Sequence, residues 1–159
     1  MGDALAIAML QVRGFTARDF ARAHPGGSLG RKLLTRVGDV MRTGDAVPAV
    51  AVGATLAEAI LEMSRKRMGM TAVLDGQRVA GMFTDGDLRR ALGHLSDFHS
   101  TGVGAVMTRL PRTIGADALA AEAVHVMESM RITQLLVVDH HGGLKGALNL
   151  HDLFQAGVV

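Results

Sequence analysis

The chain is 159 residues long, 48% hydrophobic and 20% charged, with a net charge of +2 and no cysteine. That length holds one domain or two very small ones, with a real core, and the composition is that of a folded globular protein. It excludes disulfides, cysteine–zinc sites and thiol nucleophiles, and five Phe with no Trp or Tyr leave too few rings for a nucleic-acid surface of the stacking type.

The start, "MGDALAIAML", lacks a basic n-region and a cleavage site, so no signal peptide is expected. No apolar run approaches the roughly 18 residues of a membrane span. No membrane partner is expected, and the cysteine-free composition fits a reducing cytoplasm, the expected compartment. Leu5, Ala8, Met9 and Val12 recur at helical spacing and predict a helix that stops at Gly14. Thr16 can cap a second short helix, Ala17–Ala23, which Pro25 ends. The stretch Ala23–Leu34, "AHPGGSLGRKLL", then sets a histidine, a proline and three glycines together. It reads like the edge of an active site, with very little chain in front of it.

From Val37 onward the chain repeats itself. "VGDVMRTGDAVPAV" at Val37–Val50 returns as "VGAVMTRLPRTI" at Val103–Ile114. "AEAILEMSRKRMGMTAVLD" at Ala57–Asp75 returns as "AEAVHVMESMRITQLLVVD" at Ala121–Asp139, and "VAGMFTDGDLRRAL" at Val79–Leu92 returns as "LKGALNLHDLFQAG" at Leu144–Gly157. The offset stays within 64 to 66 residues, and three blocks in one order mark a true internal repeat. Each unit opens with an extended segment holding Val-Met. A helix follows, on Leu56, Ala59, Ile60 and Met63 or on Ala123, Val124 and Met127. Then comes a Val-rich strand, Thr71–Leu74 or Leu135–Val138, a turn at Asp75-Gly76 or His140–Gly143, a strand across Gly81 or Gly146, and a last helix from near Asp85 or Leu150. The predicted order is β-α-β-β-α, twice.

These repeats resemble a tandem pair of cystathionine-β-synthase-type (CBS) domains. The resemblance implies an α/β (α+β) fold in which two repeats pack about a pseudo-twofold axis with a cleft between them. It divides the chain into residues 1–34, a first repeat with linker at 35–98 and a second repeat at 99–159. Such clefts commonly bind adenosine nucleotides or similar ligands. The family motif is Gly, then Thr or Ser, then Asp three residues later; here it reads Gly81-Met82-Phe83-Thr84-Asp85-Gly86-Asp87. Thr84 would cap the next helix, whose first N–H groups attract a phosphate, and Asp87 would accept from ribose hydroxyls. Thr-x-x-Asp is equally a capping-box arrangement, and the two roles are compatible. The second copy reads Gly146-Ala147-Leu148-Asn149-Leu150-His151-Asp152. Asn149 can still cap, but the two clefts are not expected to be equivalent.

Family geometry adds Met70 and Thr71, Thr133 and Gln134, and Arg131 as nucleotide-binding candidates, with Gln134 reading a base edge and Arg131 balancing phosphate, a role also open to Arg89-Arg90. Met41, Met68 and Met70 read first as packing residues. The clusters Arg31-Lys32, Arg65-Lys66-Arg67 and Arg89-Arg90 read as solvated faces. His140-His141 with His151 lacks carboxylate or cysteine partners at ligand spacing, so no metal is expected.

The segment in front has its own resemblance. "GDALAIAMLQVRGFTARDFARAHPGGSLGRKLL" is similar to the closing part of the sugar isomerase (SIS) domain in D-arabinose 5-phosphate isomerases, which carry a CBS pair immediately afterwards. These enzymes interconvert D-arabinose 5-phosphate and D-ribulose 5-phosphate, a step toward Kdo and lipopolysaccharide. The resemblance makes residues 1–34 the end of an SIS domain and His24 a residue of that domain's catalytic site. An imidazole suits proton transfer between adjacent carbons, but the Ser-rich phosphate loop and the other catalytic groups do not occur here. The chain is expected to be the C-terminal part of such an enzyme and inactive by itself.

Two functions follow. The pair is a regulatory sensor, needing no cofactor and taking CMP-Kdo or AMP/ATP as ligand, partnered by its own SIS domain in a homodimer or tetramer. Alternatively it is a ligand-free module that holds such an assembly together. A stand-alone binding protein with native N-terminal helices is a third reading, disfavoured by the His-Pro-Gly-Gly segment.

Overall fold

The computed structural model describes residues 34–159. His24, the two expected N-terminal helices and the Gly-rich turn lie outside the described residues. The elements are α1 (Val37–Val40), a 3-10 turn (Gly44–Ala46), β1 (Ala49–Ala51), α2 (Leu56–Lys66), β2 (Met70–Asp75), β3 (Arg78–Thr84) and α3 (Asp85–Leu92). A second 3-10 turn (Val103–Ala105), β4 (Thr108–Arg109), β5 (Thr113–Ile114), α4 (Ala120–Met130), β6 (Gln134–Val138), β7 (Leu144–Asn149) and α5 (Leu150–Gln155) complete the fold. The predicted β-α-β-β-α order occurs twice, with α3 and α5 starting where the sequence placed them.

The short helices are fixed by their ends. Thr55 caps α2 by accepting from the Glu58 N–H, while the Glu58 carboxylate accepts from the Thr55 N–H, a complete capping box. Arg65 and Lys66 stand in the last turn, and Arg67 stops the helix in a left-handed conformation at φ 51°. Arg131 ends α4 the same way at φ 53°. The equivalence of the repeats therefore extends to their backbone exceptions.

The first sheet runs β1-β2-β3-β4 and the second β5-β6-β7. Within each, the first pair is parallel and the next antiparallel. Strand alternation then separates two faces. Thr71, Val73 and Phe83 turn toward α2 and α3, whereas Met70, Ala72 and Met82 turn toward the other repeat. In the middle, Met68, Met70, Ala72 and Met82 meet Leu136 and Ala147 in one buried cluster. On the far sides, Leu56, Ala59, Met63, Val73 and Phe83 form the first repeat's own core, and Ala123, Met127, Leu135, Val137, Leu148 and Leu153 form the second's.

The expected extended lead-in segments differ from prediction. Val37–Val40 makes a helical turn and Val103–Ala105 a 3-10 turn before the chain extends. The turns let each segment cross to the other repeat. Val37 and Gly38 donate to Ala118 and Ala116 carbonyls, and Arg42 exchanges both backbone hydrogen bonds with Ala147 on β7. In return β4, from the second lead-in, pairs with β3. Val37 is thus buried in the second repeat's core, and Val103 and Met107 in the first's. Each repeat is completed by its partner's leading segment.

Candidate ligand clefts

The exchange brings residues distant in sequence to the start of each final helix. At α3, the Asp87 carboxylate accepts from the Thr84 N–H (2.9 Å) and the Thr84 hydroxyl (2.7 Å) through Oδ2. Its Oδ1 accepts from the Thr108 hydroxyl (3.1 Å), supplied by β4, and from Arg90. Thr84 Oγ1 in turn accepts from the Asp87 N–H (3.2 Å). Asp87 is only 5% exposed, yet the Arg90 side chain that partners it is 70% exposed. An ion pair that open to water contributes little.

At α5 the capping box is kept with asparagine. Asn149 Oδ1 accepts from the Asp152 N–H (2.9 Å), and Asp152 Oδ2 accepts from the Asn149 N–H (3.0 Å). The cation here is Arg42. Its Nε and Nη2 donate to Asp152 Oδ1 at 3.1 and 2.9 Å, and Nη1 donates to the Lys66 carbonyl (3.2 Å) at the end of α2. The two side chains are 26% and 10% exposed.

The remaining candidates separate by strand face. Gln134, first in β6, lies beside the start of α3, at the first candidate cleft. A Cβ added to Gly69 would sit 3.0 Å from Asp85 Oδ2 and 3.1 Å from Gln134 Nε2, and Gly69 has φ +69°, a conformation suited to glycine. Asp85, next to Thr84, is tied to the same spot by its N–H on the Gly69 carbonyl. Thr133 and Arg131 are exposed beside Gln134. Met70 and Thr71 are fully buried. Met70 joins the central cluster, the packing role its chemistry suggested. Thr71 faces α2, where its hydroxyl donates to the Ala59 carbonyl (3.0 Å).

Two residues of these clefts escaped sequence reasoning: Arg42 and Thr108. They occupy the same place in the two lead-in segments, after Val40-Met41 and Val106-Met107. Aligning the repeats pairs them, but only the exchange shows that each serves the aspartate of the other repeat.

Two cavities lie elsewhere. One, of about 540 Å³, forms where the two hairpins meet and is lined by Gln77, Arg78 and Asp139–Gly143. Another, of about 550 Å³, includes Met41, Thr113, Asp117, Val138 and Lys145. None of the sequence-named candidates lines either one. Asp139 borders both; backbone N–H groups of Gly143 and His141, more than Lys145, hold its carboxyl down to about 2. A carboxyl lowered from 3.8 stabilises the hairpin above the ordinary carboxyl range and loses that contribution as pH falls through its folded value. A carbon-detected NMR titration should place the Asp139 midpoint near 2, and a midpoint close to 4 would contradict the hydrogen-bonded hairpin. No helix among the described residues is long and apolar enough to cross a membrane.

Comparison with known proteins agrees with this architecture. The CBS domain family model matches residues 37–94 and 103–158. Over the whole chain, the sequence is 53% identical to arabinose 5-phosphate isomerase KdsD of Pseudomonas aeruginosa, of which it covers 49%; the chain spans about half the length of the curated relatives it matches. Among solved structures, CBSX2 in complex with AMP matches with a TM-score of 0.67 at 22% identity, covering 78% of this chain and 96% of that one. The CBS domain pair of MJ0100, in complex with 5'-methylthioadenosine and S-adenosyl-L-methionine, matches with a TM-score of 0.67 at 19% identity, covering 76% and 94%. Those two likenesses concern the fold. With both repeats matched by the family model, the chain belongs to the CBS domain family, as a tandem pair.

Proposed function

We propose that the pair is a regulatory nucleotide sensor and that its first cleft holds the ligand. The observation that carries this reading is the state of Asp87 Oδ1. That oxygen is held by a single Thr108 hydroxyl and by a largely exposed Arg90, so a ribose hydroxyl can replace the arginine at small cost. The Gly86 N–H at the start of α3 is the candidate for a phosphate, since those of Asp85 and Asp87 already bond the Gly69 carbonyl and Thr84 Oγ1; Gln134 is the candidate for a base edge, and the exposed Arg131 and Arg90 supply positive charge. Two proteins of the same fold are held in complex with AMP and with adenosine-containing ligands, which supports an adenosine-type ligand here. The similarity to arabinose 5-phosphate isomerase KdsD supports a setting in which the pair tunes D-arabinose 5-phosphate isomerisation. His24 would then belong to the catalytic part, and CMP-Kdo, as a nucleotide-sugar, joins AMP and ATP as a candidate ligand.

The assembly reading retains two specific supports: both aspartates are already satisfied as capping boxes, and Leu61, Leu92 and Phe154 stand exposed as surface for a second copy. A thermal-shift series with AMP, ATP, CMP and CMP-Kdo separates the two. One ligand at 100 times its Kd should stabilise the chain by about 2.7 kcal/mol, and Asp87→Asn should abolish that gain. No shift with any of the four moves the function to assembly.

A further inference from the structure

We propose that Arg42 is an internal plug that closes the second cleft, leaving this pair with a single nucleotide site. The proposal rests on the reading of the first cleft as a ligand site, and extends it to the question of how many ligands the pair takes.

The repeats place corresponding residues at corresponding points, so each cleft is a control for the other. Thr84 and Asp87 correspond to Asn149 and Asp152, each pair forming the same capping box. Lys66 and Arg67 correspond to Met130 and Arg131, and both arginines end their helices in the same left-handed turn. The clefts differ in their caps, Thr84 against Asn149, in Arg90 against Gln155, and, at the lead-in position that reaches the aspartate, in Thr108 against Arg42. The threonine hydroxyl reaches Asp87 and stops there. The guanidinium reaches Asp152 with two nitrogens and continues to the Lys66 carbonyl. It therefore fills the interval between the aspartate and the end of the facing helix, where a ribose would have to enter.

The plug is also anchored. The Arg42 N–H donates to the Ala147 carbonyl (2.8 Å), and the Ala147 N–H donates to the Arg42 carbonyl (3.1 Å). A two-nitrogen guanidinium–carboxylate contact is charge-assisted and geometrically specific. A hydroxyl competing for Asp152 must displace a cation fixed at both ends. The first cleft contrasts at the same point. Its cation, Arg90, comes from the same helix as Asp87 and reaches it from solvent. The residue corresponding to Arg90 in the second repeat is Gln155, which is exposed and pairs with His151 instead.

The test is binding stoichiometry of the 159-residue chain by calorimetry, with AMP as the probe and circular dichroism as the fold control. Arg42→Thr copies the first cleft's own residue into the second. Thr108→Arg, the reverse change on an exposed residue, builds a plug in the first. The expected result is one AMP per chain for the unmodified protein and two for Arg42→Thr. Thr108→Arg should lower affinity by about tenfold or more. If a folded Arg42→Thr still binds one AMP, or the unmodified protein binds two, the plug is overturned while the sensor reading stands. If the unmodified protein binds none and Arg42→Thr binds one, the plug stands and the first-cleft reading falls. No binding to either overturns both. Should Arg42→Thr fail to fold, Thr108→Arg decides: retained AMP affinity there overturns the proposal.

Discussion

Phe83→Ala is expected to destabilise the protein by about 3–5 kcal/mol, a large share of the roughly 5–15 kcal/mol that a domain of this kind possesses. Phe83 is among the largest fully buried side chains. It stands in β3, facing Leu56, Ala59 and Met63 of α2, Val73 of β2 and Ala91 of α3, with Val103 and Met107 arriving from the other repeat. Removing the ring therefore leaves a void in the first repeat's own core, which the second lead-in helps to close, and four elements would have to move together to fill it. Urea unfolding measures the loss; Phe83→Leu, which keeps most of the volume, should cost less than about 1.5 kcal/mol. A loss below that for the alanine variant would mean the first core is not packed as described.

Gly146→Val is expected to cost about 3 kcal/mol, at the high end for overpacking. A Cβ at Gly146 would sit 2.6 Å from the Arg42 carbonyl oxygen and 2.7 Å from Met41 Sδ. The methionine can turn aside, but the carbonyl cannot, because it accepts from the Ala147 N–H and fixes the exchanged segment on β7. The substitution acts on the join between repeats. Gly81 has the mirrored constraint, with the Thr108 carbonyl oxygen 2.9 Å from an added Cβ. Thermal unfolding of Gly146→Val reads the effect; a midpoint within a degree or two of the unmodified protein, where about 1 kcal/mol shifts a domain of this size by roughly 2–8 °C, would contradict the close approach.

Those two glycines show what the sequence could reveal. The motif Gly81–Asp87 resembles a ligand-binding element from end to end. Its threonine and aspartate do form the predicted capping box, but its glycine makes room for the other repeat's backbone. Helices α2 and α4 were legible because apolar residues recur on one face, and α3 and α5 because their capping residues are specific. The exchange was not legible. It is made by a two-residue strand and three isolated bridges, Arg36–Leu119, Arg42–Ala147 and Thr55–Gly102, too short to carry an alternating pattern. Arg42 in "VMRTGD" carries no signal of its role for the same reason. Thr71, which family geometry offers as a ligand contact, is turned inward by strand alternation, and its hydroxyl donates to the Ala59 carbonyl.

The most direct measurement is an amide NMR titration of the 159-residue chain with AMP. Perturbations are expected at Thr84–Asp87, Thr108 and Arg131–Gln134, with Asn149–Asp152 and Arg42 left in place. Perturbations centred on Asn149–Asp152, or on the Asp139–Gly143 hairpin, would contradict a nucleotide site in the first cleft, and a spectrum unmoved by AMP would leave the clefts as capping boxes and the pair without an AMP site.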